Sequence, residues 1–169
     1  MVEKREARYD VGKAIAHEDQ RRKLYDPKLI TKGYENIEQF FPHNVISISQ
    51  EGLELGNHYH DFEELYFTPN GGLEVKLVDV GHLNDSEKNS KLIVPHYDSQ
   101  RAVETKSKIY FRHSIKMEEG SRLLIPSYVA HRVIGKAGSV LMCWGSVEFD
   151  PARLIGLKDY PDLLKALST

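Results

Sequence analysis

The chain has 169 residues, enough for one domain that buries roughly 70% of the surface its unfolded form would expose, so it needs no disulfide or metal merely to fold. Its 23 Lys and Arg stand against 25 Asp and Glu, a formal charge of −2, which argues against a surface built to neutralise a row of nucleic-acid phosphates. The single cysteine, Cys143, excludes an intrachain disulfide, the N-terminus is charged where a secretory signal turns apolar, and no apolar run approaches the roughly 18 residues of a membrane helix. A cytoplasmic protein with neither a nucleic-acid nor a membrane partner is expected. Eight histidines accompany the lone cysteine.

Residues 1–42 are dense in charge and carry two loop markers, Asp26-Pro27 and Lys32-Gly33. They are expected as an N-terminal extension with one helix over residues 12–24, resting on a thin apolar stripe of Ala14, Ile15 and Leu24. Residues 43–150 form the main domain, where short β-rich segments alternate with turn residues. Strands are expected over 45–49, 53–60 and 65–68, the last closing on Pro69-Asn70-Gly71-Gly72 as a hairpin, because Asn and Gly tolerate positive φ. The returning segment, 73–77, places Leu73, Val75 and Leu77 on one face and Glu74 and Lys76 on the other.

A polar loop at 84–91 precedes a short apolar run, 92–94. The next strand, 109–117, puts Ile109, Phe111, His113, Ile115 and Met117 on one face, so His113 should point inward. Segments 121–125, 131–134 and 139–147 complete the β set. In the tail, residues 151–169, Tyr160, Leu163, Leu164 and Leu167 fall at helical spacing behind Pro161, which suits a first helical turn.

One constellation carries chemistry. His58 and His60 stand two apart in a β-type segment, so both imidazoles leave one face about 7 Å apart and can converge on one ion. Glu64 on a straight strand would lie about 13 Å from His60, and a turn over 61–63 is needed to bring it back beside the pair. His131, at the start of a later β run, is the candidate fourth ligand. Three imidazoles and a carboxylate suit one divalent transition metal, Fe, Mn, Ni, Co or Zn. The plain alternative is a metal-free site whose polar residues bind substrate or water directly.

Gly52, His58, His60, Glu64 and Gly71 reproduce the first cupin motif at every fixed position. Gly120, Pro126 and His131 fit the second, with Tyr128 where that pattern has glycine and Gly135 where it has asparagine. Over residues 45–147 the chain therefore resembles a single-domain cupin. The resemblance implies an all-β, double-stranded β-helix (jelly-roll) barrel, here with an N-terminal extension, an insertion near 84–106 and a short C-terminal helix. It also implies one divalent metal and a homodimer.

Residues 125–132 and the approach to His58 are further similar to cupins that isomerise or epimerise sugars and nucleotide-linked sugars. A small-molecule substrate of the sugar-derivative class is expected, with Tyr66 and His113 as catalytic candidates. The same ligands would serve a non-haem Fe(II) dioxygenase, and a non-catalytic ligand-binding or sensing cupin is the third reading. Tyr128 and Trp144 are candidates for an aromatic pocket wall, and Arg112 and Arg122 for anion contacts. Glu63 is read as a surface or interface residue, histidines 17, 43, 82 and 96 as surface residues, and Cys143 as a buried, inert thiol.

Overall fold

The computed structural model describes residues 10–18, 23–25, 27–31, 39–79, 102–105 and 108–168. The early elements are β1 (Asp10–Lys13), β2 (Ile15–Glu18), β3 (Lys23–Tyr25) and α1 (Pro27–Ile30). Then come β4 (Phe41–Ser47), β5 (Leu53–Tyr59), β6 (Glu64–Asn70), β7 (Gly72–Asp79), β8 (Ala102–Thr105) and β9 (Lys108–Glu118). The chain continues through β10 (Ser121–Ile125), β11 (Val129–Gly135), β12 (Val140–Gly145), β13 (Ile155–Gly156) and α2 (Pro161–Ser168). None of the described helices is long and apolar enough to cross a membrane.

Two antiparallel sheets face each other, one in the order β1-β10-β6-β12-β4 and the other in the order β13-β5-β11-β7-β9-β8. From β4 to β7, and again from β9 to β13, each strand lies in the sheet opposite its predecessor, which is the winding of a jelly roll. Among the described residues no ladder joins one sheet to the other, so the expected barrel is a pair of facing sheets rather than a closed cylinder.

This winding corrects the expected hairpin at 69–72. Gly71 turns the chain with φ +81°, but β6 pairs with β10 and β12 while β7 pairs with β9 and β11, so the turn is a corner between sheets. A Cβ on Gly71 would collide with Ser139, whose hydroxyl accepts from Gly72 N–H at 2.8 Å and fastens the corner. The helix expected over 12–24 is also replaced. β1 pairs with β10 at the edge of the five-stranded sheet, and β2 and β3 form a small ribbon, so sheet pairing overrides a weak helical stripe. Of the expected insertion near 84–106 only β8 is described; the apolar run 92–94, His82 and His96 lie outside the described residues.

The main core fills the space between the sheets with Val75, Leu77, Met117, Leu123, Ile125, Val129, Val133 and Leu141. A second cluster lies on the back of the six-stranded sheet, where Tyr59, Val78 and Ala130 meet Leu157 and the α2 residues Leu163, Ala166 and Leu167. The tail helix thus forms as its spacing predicts and backs the strands that carry the histidines.

Candidate metal centre

β5 begins with Leu53 and Leu55 turned toward the core, a parity that would send His58 and His60 outward. A β-bulge reverses it. His131 of β11 pairs with His58, but Arg132 pairs with Gly56, leaving Asn57 as the extra residue. Gly56 and Asn57 both take positive φ, +86° and +61°, and Arg132 Nε donates to Asn57 Oδ1 at 2.6 Å to hold the bulge. After it, His58 and His60 face the interior.

The turn over 61–63 then carries the chain to the opposite sheet rather than to a neighbouring strand, and Glu64 is the first residue of β6. Glu63 fixes the turn: its N–H donates to Ser146 Oγ at 3.1 Å and its carboxylate accepts from that hydroxyl at 2.7 Å. It is half-buried and tied to the end of β12. His131 reaches in from β11 alongside Val129 and Val133.

These placements bring together the four expected ligands. One donor atom from each of His58, His60, Glu64 and His131 lies within 4.8 Å of the others. The ring centroids are 4.6 Å apart for His58–His131, 5.1 Å for His60–His131 and 5.8 Å for His58–His60. His60 and His131 are fully buried and His58 is half-buried.

Backbone carbonyls decide how the two buried rings are protonated. His60 Nδ1 lies 2.8 Å from the Phe62 carbonyl and His131 Nδ1 lies 2.9 Å from the Val129 carbonyl. A carbonyl only accepts, so each Nδ1 carries a proton and each ring turns its Nε2 inward, as a lone pair on a neutral ring or as a second N–H on a charged one. The two Nε2 atoms lie 3.2 Å and 3.4 Å from Glu64 Oε2. Acceptors gathered this closely in a buried place require a cation among them, either a metal ion or extra protons on the imidazoles. The donor set fits a divalent transition metal, with His58, His60, Glu64 and His131 as the residues that would hold it.

The electrostatics agree with a site that concentrates negative charge on Glu64. Burial opposes its ionisation, but contacts with His131, His43 and His60 outweigh it and hold the carboxyl well below the usual carboxylate range. Burial, then the neighbouring His131, pushes His58 down to about 3, leaving it a neutral imidazole with a lone pair to give. Burial and Glu64 push the Tyr66 phenol and the Cys143 thiol up, so both keep their protons.

Of the two catalytic candidates, Tyr66 follows Glu64 on the inner face of β6, with its ring 6.0 Å from that of His131. His113 lies opposite Leu77 on β9, and Leu77 lies opposite His131, which lies opposite His58. One row across the six-stranded sheet therefore reads His58, His131, Leu77, His113, with His113 about 10 Å from His131 by strand spacing.

Other expectations fall away from the centre. Trp144 is on the outer face of the five-stranded sheet beside Leu65, lining an apolar cavity of about 340 Å³ with Ile30 and Phe40. It walls no part of the His58, His60, Glu64 and His131 cluster. Arg122 donates to the Ile30 carbonyl at 3.2 Å and anchors α1. Tyr128 packs against the α2 side of the sheet, its N–H donating to the His60 carbonyl at 2.6 Å. The Arg112 and His17 side chains lie outside the described part.

His43, read as a surface residue, is half-buried as a whole, with its side chain buried beside the cluster. Its Nε2 donates to the Val147 carbonyl at 2.8 Å, its Nδ1 lies 4.0 Å from Glu64 Oε1, and Glu64 raises its pKa above the ordinary imidazole value. Alternation from Ile46 would turn Asn44 inward. A bulge opposite Cys143 and Trp144 puts His43 there in its place, and no spacing in the sequence announces it.

No protein-family model matches the chain, and no curated protein sequence does. Its similarity is to solved structures. A 3,4-ketoisomerase from Helicobacter canadensis is 16% identical, with a TM-score of 0.58 over 97% of this chain and 100% of that one. A mutant of the 3,4-ketoisomerase QdtA from Thermoanaerobacterium thermosaccharolyticum, in complex with TDP-4-keto-6-deoxyglucose, is 14% identical, with a TM-score of 0.57 over 95% and 94%. The dTDP-4-dehydrorhamnose 3,5-epimerase from Bacillus anthracis, with TDP and PPi bound, is 14% identical, with a TM-score of 0.61 over 88% and 77%. These likenesses show the fold, a cupin jelly roll.

Proposed function

We propose that the chain is an isomerase or epimerase of a sugar derivative, using one divalent transition metal held by His58, His60, Glu64 and His131. The observation that carries the metal is the convergence in a buried place of two imidazole Nε2 atoms on a carboxylate oxygen, at 3.2 Å and 3.4 Å, with a His58 nitrogen within 4.8 Å of the same group. The substrate class is supported by three fold neighbours, two described as 3,4-ketoisomerases and one as a 3,5-epimerase, each matched over most of its length.

A bound divalent ion would polarise a carbonyl oxygen and so acidify the adjacent C–H. The chain's own residues supply the proton traffic. His113, at the far end of the inner row, is the base that takes the proton from carbon, and Tyr66, kept as a neutral phenol, is the acid that returns one to the neighbouring position. The same reading includes a homodimer, which sedimentation at the monomer mass would reject.

The test is solvent deuterium incorporation into TDP-4-keto-6-deoxyglucose, the ligand of one fold neighbour. Metal-loaded protein should exchange the hydrogen beside the keto group, and His58→Ala or His131→Ala should lose both stoichiometric metal and exchange. Exchange that survives chelation and both substitutions would remove the metal from the proposal. No exchange by metal-loaded protein on this and related keto-sugars would overturn the reaction class.

A further inference from the structure

Three residues, Asp61, Phe62 and Glu63, separate His60 from Glu64. The middle one holds His60 in two ways. Its carbonyl accepts from His60 Nδ1 at 2.8 Å, and its phenyl ring lies flat against the imidazole, 3.9 Å between centroids with 8° between planes.

The two contacts fix different freedoms of the ring. The hydrogen bond sets which edge of the imidazole meets the backbone, and so sends Nε2 to the other side, where it lies 3.2 Å from Glu64 Oε2. It leaves the ring some freedom to tilt, because a carbonyl accepts over a broad range of directions. The phenyl removes that freedom, since turning the imidazole would drive its edge into the face of Phe62. An ion is bound in the plane of the ring, so tilt decides whether Nε2 is aimed at a centre shared with the other three residues.

Phe62 is itself held on several sides. It is 2% exposed, and His43 meets it edge-on at 5.6 Å between centroids. The Arg153 guanidinium lies over the phenyl ring, 5.4 Å from its centroid. Asp61, the neighbour of Phe62, accepts from Arg153 Nε at 2.9 Å and Nη2 at 2.8 Å and keeps the guanidinium there.

From this geometry, and resting on the metal reading above, we infer that Phe62 is a positioning residue that sets the plane of the His60 imidazole and thereby the aim of Nε2. It acts through His60 and is not itself a ligand. A phenyl that served only as apolar filling could be replaced by leucine without moving the imidazole.

The test uses the full chain and two variants. Phe62→Leu keeps the backbone carbonyl and an apolar side chain but loses the flat face, and Phe62→Tyr restores that face. Crystal structures should show the His60 ring turned out of its wild-type plane in Phe62→Leu and returned to it in Phe62→Tyr. Titration with Co(II) should give a Kd raised about tenfold in Phe62→Leu, the low end of the effect when a group that orients a ligand is removed, with an altered visible absorption band. Phe62→Tyr should bring both the Kd and the band back toward wild type.

A His60 ring unmoved in Phe62→Leu, or a wild-type Co(II) affinity and band in that variant, would overturn the inference. So would a Phe62→Tyr protein that stacks on His60 yet binds Co(II) as weakly as Phe62→Leu. If wild-type protein binds no Co(II), the metal reading fails by itself, and the plane of His60 in the variant structures still decides the role of Phe62. Should Phe62→Leu fail to fold, Phe62→Met carries the same comparison.

Discussion

At the scale of single residues, Tyr128 shows what the second cupin motif requires of its glycine. The backbone there is left-handed, φ +61°, and the N–H points to the His60 carbonyl at 2.6 Å, so the turn before β11 is locked to the segment that follows β5. A non-glycine residue in that region costs about 1–2 kcal/mol, offset here by packing of the phenol ring against the cluster under α2. Tyr128→Ala should lose the ring and keep the strain, whereas Tyr128→Gly loses both. The Gly variant should therefore be the more stable of the two by about 0.5–1 kcal/mol in urea unfolding, after its greater chain entropy is counted. Equal stabilities, or a more stable Ala variant, would show that the turn is unstrained. That His58, His60, Glu64 and His131 come together was legible because a fixed motif spaces them. His43 was not, because a bulge formed by pairing with β12 turns it inward.

Elements show the same division between what is local and what is not. Residues 73–77 and 121–125 could be read as strands because alternation is written within each segment. Strand partners could not, and the Asn-Gly-Gly turn after β6 looks identical whether it closes a hairpin or crosses between sheets. The parity switch in β5 was equally hidden, since it takes Arg132 on another strand to hold Asn57 in its bulge. The end of β11 gives a sharper case. Gly135 stands where the motif has asparagine, and Ile48 occupies the place a side chain would take, closely enough that a Cβ would collide with it. Restoring the motif with Gly135→Asn should therefore destabilise the protein by about 1–3 kcal/mol through overpacking. Ile48→Ala in the same chain should recover part of that loss. A Gly135→Asn protein as stable as wild type would mean that Ile48 moves aside without cost.

For the whole molecule, the histidine and glutamate cluster is where the two sheets meet through charge as well as through apolar packing. Three imidazoles approach from the β5–β11 side, and Glu64 and His43 from the facing sheet, so protons that enter or leave the metal-free centre act on the stability of the sandwich. His58 titrates near 6.5 when unfolded and at about 3 when folded, so between those values the unfolded chain holds more protons and folding weakens as pH falls. That contribution has a slope of about 1.4 kcal/mol per pH unit. His43 runs the other way, because Glu64 raises its folded value. Its contribution is complete below 6.5 and is lost as pH rises through the folded value. Urea unfolding in excess chelator should then show maximal stability near pH 6.5, falling on both sides. His58→Gln should flatten the limb between pH 5 and 6, where ordinary carboxylates scarcely titrate, and His43→Phe should flatten the alkaline limb. A wild-type profile that is level from pH 5 to 8, or limbs unchanged by both substitutions, would show that the cluster's protons are not coupled to folding.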